Sequence, residues 1–422
     1  MFALRARAPS PGPRASPLTN SAFRALWLAA TVSYVGGFVQ EIGERWVILD
    51  LTRSPLSSAM LVTTYLGASL VAILPAGVLA DRVDRRRIVV FSQLTQAAVA
   101  AGIGVMAALG RLTPGVLLAG AAIAGVGMGL GGPAWNAMIA DIVRRDQVAD
   151  AVTLNAVAYN IARAIGPALG GVVLASAGAT TTFFANACTF LVVVAAICAP
   201  RRDREPPPPA STAPQSLGRA FLEPLGFALG DRTMRAILAS MFAFSFGAAA
   251  VYVLLPPFAK LTLGRGPRAY GLVIGAMGVG AVIGGLLLKR HRARFRPTAL
   301  LTSLMLLFGV SSAAISRVDD VTIAIALCVP AGIGWTGSFS SLSALAQLWV
   351  PNHLRARSLA VYSTLHLLTW SVASALSGAA AERWGVRAAM LWGAVFCGVA
   401  AALNGSIALP RTFSDQAGEE RR

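Results

Sequence analysis

A carboxylate or guanidinium inside a long apolar run is costly unless it faces a cavity, a partner or a proton, so chemistry is sought first at such residues. One cluster stands in the run 23 to 50: Gln40, Glu41, Glu44 and Arg45. Glu41 and Arg45 are spaced i, i+4 and can pair along one helix face, which leaves Glu44 or Glu41 available to another cation or to a proton. A carboxyl withdrawn from water can exchange protons near neutral pH, the property that a coupling site needs. The matching cation is Arg163, about thirteen residues into a later apolar run and so near its middle. The plainer alternative is that the first helix ends early and leaves the cluster at a membrane surface. A second set is aromatic: Trp335, His366 and Trp370, joined by Tyr252 and by Pro256 and Pro257, which break the pattern of their helix. Together these suit contact with a substrate, although each aromatic taken alone reads first as a core or lipid-facing residue. His291 and His353 fall between apolar runs and read as solvated. There is no HExxH, no nucleophile elbow, no pair of intramembrane aspartates and no nucleotide P-loop, so enzymatic chemistry and direct ATP drive are not expected. No cofactor and no metal are expected either.

The elements that must position these residues are written in the composition. With 56% hydrophobic and only 13% charged residues over 422 positions, the chain is too apolar for an ordinary soluble domain. Each apolar run reaches the roughly 20 residues that cross a hydrocarbon core. The reading gives helices at 23 to 50, 56 to 79, 88 to 109, 114 to 140, 150 to 176 and 179 to 199, then 234 to 260, 268 to 288, 298 to 316, 320 to 348, 357 to 380 and 386 to 408. The expected fold is an all-α polytopic membrane protein with twelve transmembrane helices in two parallel-related six-helix bundles. Its expected parts are a disordered basic tail (1–18), a first half (19–200), a cytoplasmic linker (201–218) stiffened by Pro206 to Pro209, a second half (219–410) and a tail (411–422). Cys188, Cys198, Cys328 and Cys397 all lie in apolar runs without metal spacing and read as small core residues.

The net charge of +18 would suggest nucleic acid in a soluble chain, but here the basic residues sit between apolar runs. Arg82 with Arg85 to Arg87, Arg144 with Arg145, Arg201 with Arg202 and Arg204, and Lys289 to Arg296 fall on one side, whereas the other side holds scattered charges such as Arg53, Lys260 and Arg387. The positive-inside rule then places both termini in the cytoplasm and the chain in the cytoplasmic membrane. No cleaved signal peptide is apparent in Met1 to Ser16, so the first spanning helix is expected to direct insertion.

An internal repeat supports the helix count. A shift of 207 positions lays Gly77 on Gly284, Val143 on Val350, Ala168 on Ala375, Leu169 on Leu376 and Gly171 on Gly378. For the first helix of each half the best shift is near 211, with Gly36 on Gly247. Charge does not repeat: Asp81 maps to Leu288, Asp141 to Leu348 and Arg163 to Trp370. Parallel repeats of six spans are the arrangement of the major facilitator fold, with substrate expected at midplane between the halves.

Two local motifs point the same way. Gly77-Val78-Leu79-Ala80-Asp81-Arg82-Val83-Asp84-Arg85-Arg86-Arg87 resembles the signature between helices 2 and 3 of the major facilitator superfamily, with Asp84 where the common pattern has glycine. The resemblance implies a cytoplasmic gate that latches the two halves; Asp81, Arg82, Arg85, Arg86 and Asp141 form its charged members and Gly77 permits close packing. The rival reading is a basic loop that only sets topology. In helix 5, Ala162-Arg163-Ala164-Ile165-Gly166-Pro167-Ala168-Leu169-Gly170-Gly171 is similar to the glycine and proline motif of major facilitator antiporters, which are usually exporters, with Ala162 in place of the leading glycine. Gly166, Gly170 and Gly171 let another helix approach, and Pro167 removes one backbone hydrogen bond; ordinary small-residue packing would use the same residues.

Together with the start Asn20 to Leu28, these stretches resemble the branch of enterobactin-exporter-like and macrolide-efflux-like proteins over nearly the whole chain. The resemblance implies proton-driven export of a small organic molecule, a siderophore, drug or related metabolite, by alternating access, with the protein working as a monomer in the lipid bilayer. The partners expected are the small-molecule substrate and protons, with no nucleic acid. An uptake carrier of the same fold, or a non-transporting membrane sensor or assembly protein, are the alternatives.

Overall fold

The computed structural model describes residues 16–199, 226, 227, 229–291, 295–350 and 355–405. The tail before residue 16, the linker 201–218 and the tail from 411 lie outside the described residues. Among those described, all regular structure is helical. The first half holds α1 (Ser21–Thr52), α2 (Pro55–Arg82), α3 (Arg85–Ala108) and α4 (Pro114–Ile142). A helical stretch Val148–Cys198 follows and breaks at Gly178, whose φ of 79° is not helical, into α5 (148–177) and α6 (179–198). The second half holds α7 (Arg232–Pro257), α8 (Pro267–His291), α9 (Pro297–Ile315), α10 (Val321–Trp349), α11 (Arg355–Trp384) and α12 (Val386–Gly405). The expected break at Pro256 and Pro257 takes the form of a π-helical turn, Phe258–Thr262, that prolongs α7.

The helix starts follow local chemistry. Asn20 caps α1 by accepting from the N–H groups of Ala22 and Phe23, and Ser54 and Thr113 cap α2 and α4 just before a proline at the first turn. Asp84, the departure from the family signature, has a comparable role: its side chain accepts from the N–H of Arg86 at 2.9 Å and starts α3. Ten helical stretches are long and apolar enough to cross a membrane on their own, with α5 and α6 counted as one. The exception, α11, carries Thr369, Ser371, Ser374 and Ser377 on its buried side, packed against α2 and α7, so its polarity faces protein and not lipid.

The two halves repeat their packing as well as their sequence. In the first, α2 and α3 both pack on α4; in the second, α8 and α9 both pack on α10. The α5–α6 turn and the α11–α12 turn each use a glycine with positive φ, Gly178 at 79° and Gly385 at 86°, and these two lie 207 positions apart. The halves meet along α5 against α8 and α2 against α11, the same pair of elements exchanged. Where α5 crosses α8, a Cβ on Gly171 would lie 2.8 Å from both the Gly271 Cα and the Pro267 carbonyl oxygen, so the backbones touch. At the exchanged crossing Gly378 faces Ala59 and Leu56.

These contacts close the end of the bundle that carries the α1–α2, α5–α6, α7–α8 and α11–α12 turns. Thr63 and Ser371 exchange hydrogen bonds with each other's carbonyl oxygens at 3.2 and 3.1 Å. Glu382 of α11 accepts from the Ser54 hydroxyl at 2.8 Å and the Leu56 N–H at 3.4 Å, at the N-terminus of α2. Lys260 binds the Asp50 carboxylate and the Trp46 carbonyl oxygen, and Trp46 stacks on Tyr270 with centroids 6.2 Å apart. Ile42, Trp46, Ala59 and Leu174 of the first half thereby join the buried core of the second.

If the α5–α8 contact holds this end shut, Gly271→Val must force the helices apart. The expected loss is about 1–3 kcal/mol, read as a lower midpoint in thermal unfolding of the purified protein, while Gly132→Ala, where a Cβ meets nothing within 4 Å, leaves the midpoint unchanged. A Gly271→Val protein that melts with the wild type would contradict the backbone contact.

Candidate substrate and coupling site

Because α1 runs unbroken to Thr52, Gln40, Glu41, Glu44 and Arg45 lie inside the helix and not at its end. Arg45 Nη2 pairs with Glu41 Oε1 at 2.6 Å, with side chains 4% and 30% exposed respectively. The expected i, i+4 pair is thus formed, and it recruits the other half: the Tyr252 hydroxyl of α7 donates to the same Glu41 oxygen at 2.9 Å, and the Arg45 guanidinium sits 4.6 Å from the Tyr252 ring centroid. One residue back, and so on a different face of α1, Gln40 donates to Glu44 at 2.6 Å and accepts from Asn186 of α6 at 2.7 Å. Asn186, a lone amide in an apolar run, completes this network and could have been singled out by that isolation.

Arg163 does not meet an acid here. Its Nη2 donates to the Thr336 hydroxyl of α10 at 3.2 Å, and its guanidinium lies 5.1 Å from the centroid of the Trp335 ring. Both partners come from the second half. Trp335 is 5.3 Å from Trp370 and 5.2 Å from Tyr252 between centroids, and Phe339 bridges Trp370 at 6.1 Å to His366 at 4.9 Å. His366 shares a hydrogen bond with Ser245 at 3.0 Å through Nδ1. Trp335, His366 and Trp370 are therefore one wall, and Trp370, the repeat mate of Arg163, stands two rings away from it. A small pocket lies between the halves, lined by Phe38, Arg163, Pro167, Tyr252, Ile274, Met277, Gly278 and Trp335.

The helix-5 motif divides its work. Gly166 and Gly170 seat α5 against Phe38, Val39 and Ile42 of α1, Gly171 meets α8, and Pro167 lines the pocket. At the opposite end of the bundle, Arg85 Nη1 binds both oxygens of Asp141 at 3.1 and 2.9 Å. This pair ties the start of α3 to the end of α4 inside the first half. Gly77 lies in α2, and its surroundings, like the side chains of Asp81 and Arg82, are outside what the structure describes; Arg86 is half-buried at the start of α3. Sequence reading placed Lys260 among scattered charges and passed over Thr336, Ser245, Phe339 and Asp50, whose partners lie on other helices. No group of three or more His, Cys, Asp or Glu able to hold a metal is found among the described residues.

Two parallel-related six-helix halves with a polar and aromatic site at their junction define a transporter of the major facilitator superfamily, not an enzyme. The chain belongs to the transmembrane secretion effector family, whose model matches residues 13–421. It is 23% identical over 376 residues to the multidrug efflux pump Tap of Mycolicibacterium fortuitum, covering 86% of this chain and 90% of that protein. It is 27% identical over 371 residues to the enterobactin exporter EntS of Salmonella typhimurium, covering 85% and 86%. Among solved structures, the inward-facing, unoccupied bacterial homologue of the human lysosomal transporter Spinster superposes with a TM-score of 0.72 at 16% identity, over 93% of this chain and 97% of that one. The last likeness concerns fold alone.

The geometry ranks the links between the halves. The Tyr252 to Glu41 bond is a charge-assisted contact inside the bundle, of the kind whose loss costs about 1.5–3 kcal/mol. The Asp50 side chain of the Lys260 pair is 57% exposed, so that pair is expected to contribute about 0–1 kcal/mol. Spin labels at positions 53 and 264, in the α1–α2 and α7–α8 turns, would report the closed population. Tyr252→Phe should lower it more than Lys260→Met does; the reverse order would assign the closure to the rim.

Proposed function

We propose that this protein exports a small organic molecule, a siderophore, drug or related metabolite, by proton antiport with alternating access. The observation that carries the reading is the shared oxygen of Glu41. A carboxylate in the first half accepts both from Arg45 of its own helix and from Tyr252 of the other half, so a proton gained or lost there acts directly on a link between the two rocking bodies. Export is favoured by the helix-5 motif and by the efflux and exporter names of the relatives above.

On this reading the protein sits in the cytoplasmic membrane with both termini inside, as the distribution of Arg and Lys supports. The closed turn end then faces outward. Substrate enters between the halves from the cytoplasm, meets Arg163 and the Trp335, His366 and Trp370 wall, and leaves after the halves rock. Arg85 and Asp141 belong to the cytoplasmic gate with Asp81, Arg82 and Arg86. The monomer contains every residue this cycle uses.

The test is proton movement in inside-out vesicles with an imposed pH gradient. Siderophores and cationic drugs are offered in turn, and wild type is compared with Glu41→Gln and Tyr252→Phe. Substrate-dependent proton release in the wild type, reduced at least tenfold by Glu41→Gln and less by Tyr252→Phe, is the expected result. A Glu41→Gln protein with wild-type coupling removes Glu41 from the mechanism; accumulation in the opposite direction turns the reading to uptake.

A further inference from the structure

Among the described residues, Arg163 is a half-buried cation without an anion. Of the five N–H donors on a guanidinium, the described hydrogen bonds account for one, to a neutral hydroxyl, and none of the described ion pairs includes this residue. The Trp335 face stabilises the charge only in part. The neighbouring acid, Glu41, is already matched by Arg45, and Glu44 is held by Gln40 toward α6. Arg163 is the one charged residue among those that line the pocket. Its remaining lining, Phe38, Pro167, Ile274, Met277, Gly278 and Trp335, offers no side-chain hydrogen-bonding group other than the Trp335 indole, and the Tyr252 hydroxyl is engaged by Glu41.

Such a site selects by charge and by shape together. A guanidinium beside an aromatic wall in a low-dielectric setting gains most from a planar anionic group, which can take two parallel N–H donors. A cation entering the same pocket would meet the Arg163 charge, and no carboxylate lines the pocket to offset it. The apolar rings beside it would cover a hydrophobic body. We infer that the transported solute is an organic anion, whose carboxylate, phenolate or sulfonate pairs with Arg163 while its aromatic or apolar body lies against Trp335, Phe38 and Tyr252. This rests on the reading of the central pocket as the transport site, and it makes Arg163 a residue that determines specificity.

The test uses three probes with one ring system and different charge: 1-naphthoate, 1-naphthamide and 1-naphthylmethylammonium. Binding to the full-length protein in nanodiscs is measured by equilibrium dialysis, with binding to empty nanodiscs subtracted and no ion gradient present. Naphthoate should bind at least tenfold more tightly than either other probe. In Arg163→Gln the preference should collapse to within about twofold, and Arg163→Lys, which keeps the charge but loses the fork, should restore part of it. Thermal unfolding of each variant in the same nanodiscs verifies that it is folded. The inference is overturned if the amide or the ammonium binds the wild type as well as naphthoate does, if the preference survives Arg163→Gln, or if none of the three binds up to millimolar concentration. Since no proton gradient enters the measurement, loss of proton coupling in vesicles with anion preference intact would sink the antiport reading alone.

Discussion

A polar group taken into the bilayer must bring its own solvation, and that requirement governs the centre of this protein. Glu41 is solvated by Arg45 and Tyr252, Glu44 by Gln40, Gln40 by Asn186, and Arg163 by Thr336 and Trp335. Two of these solvating sets cross from one half to the other. The bonds that make the charges tolerable are therefore also bonds that fix the relative pose of the halves. On the proposed coupling, a proton or a ligand that changes the solvation of Glu41 or Arg163 would change the pose with it, without a separate relay between site and hinge.

The backbone is symmetric where movement needs symmetry, and the side chains are asymmetric where chemistry needs direction. Gly178 and Gly385 make the same turn in the two halves, and the Gly171 to Gly271 crossing has its exchanged counterpart at Gly378 and Ala59. Small residues at both crossings leave smooth surfaces on which one half can pivot against the other. Against that frame, the acids and Arg163 belong to the first half, and the aromatic wall of Trp335, His366 and Trp370 belongs to the second. Each half thus supplies what the other lacks, and the complete site exists only between them.

Much of this was legible in the chain because it depends on local pattern. The apolar runs and the Glu41–Arg45 spacing are properties of neighbouring residues, the 207-residue repeat is visible by sliding the chain on itself, and the helices follow these patterns within a few positions. The exceptions have physical causes. By hydropathy α11 falls short because its serines and threonines face α2 and α7, and Asp84 replaces a signature glycine because it caps α3. What could not be read was partnership across the interface. Tyr252 lies 211 positions from Glu41 and Thr336 lies 173 from Arg163, and nothing in local spacing ties such pairs together. For the same reason Lys260 looked like one more outer charge, although its amine reaches across to Asp50 and Trp46.

The magnitudes then indicate which link can act as the switch. Moving a two-state equilibrium from 1:99 to 99:1 takes about 5.5 kcal/mol. The exposed Lys260–Asp50 pair falls well short of that at about 0–1 kcal/mol, and its strength would vary with salt. The central cluster is different in kind, since Arg45 is 4% exposed and depends on Glu41 for its countercharge. Removing one partner of a buried ion pair costs about 3–5 kcal/mol. On the proposed coupling, one proton on Glu41 would therefore act on its contacts with both Arg45 and Tyr252 and strand a buried guanidinium, a change of the size a full rocking step demands. Of these two links the rim pair is the weaker, and on the proposed coupling the central cluster supplies the larger part of the change.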